Sequence, residues 1–180
     1  MILTDGIVLD GAGYTLEGSG NNVGVFIQAR KDVTIKNMKI NNFEYGIKLP
    51  WLYYGSNNVV SGKTISQNTL INNTYGIYID DYSSGNKLSS NTLSDNTYGI
   101  CLQSCSDNTL RDNRMDNNEF NFFVSGGTLS TSSNDVDQSN TVNGAPIIYW
   151  VNDQGKTVPE NAGYVALVNC TDMSLSLIHI

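Results

Sequence analysis

Charge is scarce in this sequence. Asp, Glu, Lys and Arg supply 15% of 180 residues, against about 25% in an ordinary soluble domain. The balance is acidic, with a net charge of −7, which excludes the clustered Lys and Arg of a nucleic-acid-binding face. No apolar run approaches the roughly 18 residues of a membrane-spanning helix. No signal peptide is visible either: Met1 opens directly into ILTDGIVLDG, which reads as strand and turn. Histidine occurs once, as His179. Cysteine occurs three times, at Cys101, Cys105 and Cys170, an odd number that makes no disulfide framework. Cys101 and Cys105 stand four apart; a pair, a soft-metal site and two unrelated small side chains all remain open.

What the chain has instead is asparagine, 24 residues of it, and a repeat. NTLINNTYGIYI begins at Asn68 and NTLSDNTYGICL at Asn91. Aligned on Gly24, Gly46, Gly76 and Gly99, with Asn121 in the fifth place, the steps are 22, 30, 23 and 22 residues. A period that survives four steps marks a repeat architecture. One and three residues after each anchor stand apolar residues, such as Ile47 and Leu49 or Ile77 and Ile79. That period of two describes a short strand with one face buried. Ile35, Ile65, Leu88 and Leu110 stand eleven before the anchor, and Ile40, Leu70, Leu93 and Met115 six before it. Three short strands per repeat and no helical spacing predict an all-β, right-handed parallel β-helix of about 22 residues per coil.

The Asn residues form columns, Asn68, Asn91 and Asn113 in one and Asn73, Asn96 and Asn118 in another. Equal side chains stack when coils lie about 4.8 Å apart, and their amides can bond along the column. Asn also tolerates left-handed backbone angles. A further column holds Tyr45, Tyr75, Tyr98 and Phe120, readable as a structural ladder or as a sugar-binding strip. The first coil offers Ile7, Leu9, Tyr14 and Leu16 for the inside. The expected organisation is coils over residues 1–127, then a polar loop and β-hairpin excursion over 128–162 with IIYWV and KTV as its arms around NDQG and Gly155 in the turn. A resumed, truncated coil follows at 163–174. Residues 175–180, LSLIHI, can be encoded as the end of a transposase-based sequencing adapter, so the expectation is adapter read-through and a natural gene that continues. His179 accordingly receives no functional weight.

These stretches, LDGAGYTLEG, DVTIKNMKINNFEYGIKL, NTLINNTYGIYI and the later NTVNGAPIIYWVNDQGKTV, resemble the NosD-like, CASH-type parallel β-helix proteins of the pectin-lyase-like fold. The resemblance implies an exported protein, periplasmic, extracellular or on the cell surface. It offers three roles: a carbohydrate- or protein-binding module, a polysaccharide lyase or glycoside hydrolase whose catalytic coils lie elsewhere, and a NosD-type accessory factor for a copper enzyme. Fold alone does not choose among them.

The residues favour the first. NTL stands where a polygalacturonase has Asn-Thr-Asp, and no Gly-His-Gly is present. Arg111 and Arg114, beside Asp112 and Asp116, read as solvated turn charges. Copper wants His, Cys or Met, and Met115 falls in an inward slot. No cofactor and no metal are expected. The 30-residue step inserts a loop carrying Trp51, Tyr53 and Tyr54, and the next coil adds outward Tyr78, Asp80 and Tyr82. Rigid aromatics beside an acid suit a sugar ring, so these six are the candidate carbohydrate-binding residues. The expected partner is a polysaccharide or a cell-surface protein.

Overall fold

The structure is a computed structural model that describes residues 1–28, 30–50, 61–80 and 83–175. Three sheets of stacked parallel strands share one axis, and each of the first five coils contributes one strand to each sheet. The first sheet stacks β1 (Val8–Asp10), β4 (Thr34–Lys36), β7 (Thr64–Ser66), β10 (Lys87–Ser89), β13 (Thr109–Arg111) and β16 (Asp135–Val136). The second stacks β2 (Thr15–Glu17), β5 (Lys39–Asn41), β8 (Thr69–Ile71), β11 (Thr92–Ser94), β14 (Arg114–Asp116) and β17 (Thr141–Val142), and continues into β18 (Ala145–Val151) and β20 (Tyr164–Val168). The third holds β3 (Val23–Phe26), β6 (Tyr45–Leu49), β9 (Tyr75–Ile79), β12 (Tyr98–Gln103) and β15 (Phe120–Ser125). β19 (Thr157–Val158) and β21 (Ser174–Leu175) form a small fourth sheet. One short 3₁₀ turn, Leu129–Thr131, is the only helical element among the described residues. This is the parallel β-helix that the repeat predicts.

The register is in phase with the repeat. Ile35 pairs with Ile65 and Leu88 with Leu110; Ile40 pairs with Leu70 and Leu93 with Met115. All eight are fully buried, as are Ile47, Ile77, Ile100, Leu49, Ile79 and Leu102. Removing each such side chain from water contributes about 1.5–3 kcal/mol, so the interior is one continuous aliphatic column.

The Asn columns are hydrogen-bonded ladders. Each Asn gives its backbone N–H and one Nδ2–H to the amide oxygen one coil further on. Asn68 bonds Asn91 in this way at 3.1 and 3.1 Å, Asn91 bonds Asn113 at 3.2 and 2.9 Å, and Asn113 bonds Asn140 at 3.2 and 2.8 Å. Asn73, Asn96 and Asn118 repeat the pattern, ending on Asn121. A third ladder runs through Asn86, Asn108 and Asn134. The remaining Nδ2–H of each Asn in the first two ladders reaches a main-chain carbonyl, such as Leu70 O from Asn96. Every polar atom of these buried amides therefore has a partner, which is what makes an amide column tolerable inside a core.

Left-handed backbone belongs to other residues than the ladder ones. Asn37, Gln67, Ser90 and Asp112 have φ of 54–57°, and Asn42, Asn72, Asp95 and Asn117 have 55–64°. Each stands one before a ladder position or its equivalent. The turn therefore divides its demands between two neighbours: one takes the strained angle, and the next turns its amide inward.

The first coil departs from expectation at two places. Leu9 and Leu16 pair with Ile35 and Ile40 and are half-buried. Ile7 is exposed, and Tyr14 is 79% exposed. Two extra residues separate Leu9 from Leu16, compared with Ile35 and Ile40, and they carry Tyr14 outward.

The hairpin also lies elsewhere. β18 runs antiparallel to β17 across Asn143 and Gly144, whose φ values of 49° and 79° give the Asn-Gly hairpin turn. IIYWV does not pair with KTV. Instead β18 pairs parallel with β20, and β19 parallel with β21. The resumed strand GYVALVN therefore adds to IIYWV rather than to a 22-residue coil.

Candidate functional site

The outer face of the third sheet carries a stack of aromatic side chains that ends in exposed Phe120 and Phe123. The Gly anchor sits between Tyr45 and Ile47, and the Tyr side chain points out while the Ile points in. In-register pairing then sets each ring above the last. Ring centroids are 4.9 Å apart for Tyr45–Tyr75, 4.7 Å for Tyr75–Tyr98 and 4.8 Å for Tyr98–Phe120, with interplanar angles of 7°, 8° and 16°.

A second outward column runs beside it, two residues after the anchor: Lys48, Tyr78, Cys101 and Phe123. Tyr78 meets Tyr45 and Tyr75 edge-on at 5.3 and 5.2 Å, and Phe123 meets Tyr98 and Phe120 at 5.6 and 6.5 Å. Lys48 Nζ lies 3.8 Å from the Tyr45 ring centroid and 5.4 Å from that of Tyr78, a cation–π pairing at the lower end of the column. At the upper end Phe120 and Phe123 are 42% and 38% exposed.

The predicted site residues fare unequally. Tyr78 and Asp80 come together: the Tyr78 hydroxyl donates to Gln103 Oε1 at 2.7 Å and lies 3.4 Å from Asp80 Oδ1. Tyr78 is nevertheless buried, because the neighbouring rings enclose it, and its ring offers no platform. Burial, with the Asp80 charge next, raises its ionisation above the ordinary tyrosine range. Trp51, Tyr53, Tyr54 and Tyr82 lie outside the described residues. Lys48 and Phe123 were missed in the sequence; the signal was their common offset from the anchor.

The described residues do not fit a copper centre. Cys101 and Cys105 are both buried. Burial, with the Asp80 charge second, pushes the Cys101 thiol up to about 12, whereas a soft-metal ligand is a thiolate. Met115 is core. No three His, Cys, Asp or Glu side chains converge among the described residues. The Arg111 guanidinium pairs with Asp135 at 2.5 Å and Asp137 at 3.1 Å, and Arg114 pairs with Asp116. Asp137 also accepts from the Ser139 N–H and the Asn140 amide. These are turn charges already engaged with one another.

A family model described as NosD, periplasmic copper-binding protein, covers residues 4–163. No curated protein and no solved structure matches the chain.

Proposed function

The chain belongs to the NosD family of periplasmic β-helix proteins, and from that premise we propose that it is a non-catalytic binding module whose protein partner docks on the outer face of the third sheet. One observation carries this reading: the double aromatic column of Tyr45, Tyr75, Tyr98 and Phe120 with Tyr78 and Phe123, open at Phe120 and Phe123. Tyr75 and Tyr98 have both ring faces occupied by stacked neighbours, so they present only edges. A sugar stacks on a free ring face, whereas a protein surface accepts rigid aromatic edges rimmed by hydroxyls. A protein partner is also what an accessory role in copper-enzyme maturation requires. Carbohydrate binding stays a proposal for Trp51, Tyr53, Tyr54, Asp80 and Tyr82, of which Asp80 alone lies among the described residues.

Site-specific photo-crosslinking tests this. A photoreactive residue at Phe123, in cells that make the protein, is expected to give one discrete protein adduct. The same residue at Ile71, on the second sheet, should give none. Equal labelling at both positions would remove the proposed face. A parallel incubation with acidic and neutral polysaccharides scores retention and product release. Retention lost on Trp51→Ala would move the function to the inserted loop, and product release would make the protein an enzyme.

A further inference from the structure

The third sheet stops one coil before the other two. β15 is its last strand, while the first and second sheets go on to β16 and β17. The place where it stops is chemically finished. A Cβ built on Gly24, Gly46, Gly76 or Gly99 would meet the carbonyl oxygen of the anchor one coil up, at 2.8, 2.7, 2.7 and 2.3 Å. None of these glycines has positive φ; close approach alone requires them. The side-chain direction at the anchor thus runs along the axis, into the space of the next coil. The fifth anchor is Asn121, a residue with a full side chain.

That side chain replaces what a next coil would have brought. Asn121 Oδ1 accepts the Asn118 N–H at 3.2 Å and its Nδ2–H at 2.8 Å. Asn118 Oδ1 accepts the same pair from Asn96, at 2.9 and 2.8 Å. The ladder therefore closes on a residue three positions along its own chain instead of on the following coil. Asn143 performs the matching substitution for the main chain. The N–H groups of Asn42 and Asn72 bond carbonyls of Ile71 and Ser94, whereas the Asn117 N–H bonds Asn143 Oδ1 at 2.9 Å.

We propose that Asn121 is a terminator: it closes the β15 edge against an added strand, specifically the strand of a second copy of this chain. Its Cβ takes the space of the incoming carbonyl, and its amide oxygen takes the donors that would greet an incoming Asn. β15 needs such closure, because an unpaired strand edge flanked by exposed Phe120 and Phe123 is a template for self-association.

Sedimentation velocity and thermal denaturation of two variants test the proposal. Asn121→Gly removes both the block and the acceptor, and is expected to associate in a concentration-dependent way where the unaltered protein shows no association through this edge. Asn121→Ala removes only the acceptor. It should lose about 4 °C in Tm and gain no association. A folded Asn121→Gly protein that sediments like the unaltered one overturns the proposal. If the glycine variant does not fold, Asn121→Ala decides alone: association would show that Cβ is no block, and an unchanged Tm would show that the amide closes no ladder.

Discussion

The 22-residue coils and the segment after residue 144 are both stacked parallel strands, yet they hold themselves together differently. In the coils, inward Asn and aliphatic residues alternate in fixed columns, and buried amides bond from coil to coil. The later segment has a shorter period. Ile147 pairs with Tyr164, Gln154 with Thr171 and Thr157 with Ser174, each 17 residues apart. Its β18 strand is apolar on both sides: Ile147 and Tyr149 face the end of the main core, while Ile148 and Trp150 join a second small core with Val158 and Ala162. Asn152 and Asn169 are exposed, take the left-handed angles themselves, and meet side chain to side chain at 2.6 Å. The coils thus use Asn both in the core and in the turn, whereas Asn152 and Asn169 serve in the turn. The difference lies in whether a column passes through the interior.

Mutations break this contrast in a graded way. Asn96→Ala should cost the most, about 4 kcal/mol by chemical denaturation. It strands two Asn73 donors and frees the carbonyls of Leu70 and Ser94. Gly76→Ala comes next at about 3 kcal/mol, because its new methyl would press on Gly99 O and Leu93 Cδ2, both at 2.7 Å. A calorimetric melt against pH reports Lys63. Burial of this ammonium lowers its ionisation to about 8, below its ordinary value of 10.5. The folded state then binds fewer protons than the unfolded one between those values, so stability should rise by about 2 kcal/mol from pH 8 to pH 10. The rise should vanish in Lys63→Met. Asn169→Ala should have the smallest effect, about 0.5 kcal/mol or less, since its amide is solvated. A cost there equal to that of Asn96→Ala would mean that the two regions are not different in kind.

The coils were legible in the sequence for a physical reason. Stacking places each residue on its equivalent, so Asn68, Asn91 and Asn113 had to repeat. The third ladder escaped notice because its column begins with Val33 and Lys63 before it becomes Asn86 and Asn108. The 17-residue period escaped because the segment contains only two copies of it. On the candidate face, the outward direction of Tyr78 was readable, but its burial beneath Lys48, Tyr45 and Tyr75 was not, since edge-on packing leaves no mark on alternation. Asn121 was visible in the anchor slot. Its meaning depended on knowing that the slot points along the axis.

One property of the ladders reaches beyond stability. Every rung-to-rung bond runs the same way, from the N–H groups of an earlier coil to the amide oxygen of a later one. A chain that adds its coils from the N-terminus therefore presents a row of waiting donors at its newest finished coil. Each following Asn arrives as the acceptor they lack, until Asn121 and Asn140 arrive and the row is quenched. The direction of the bonds is also the order of synthesis.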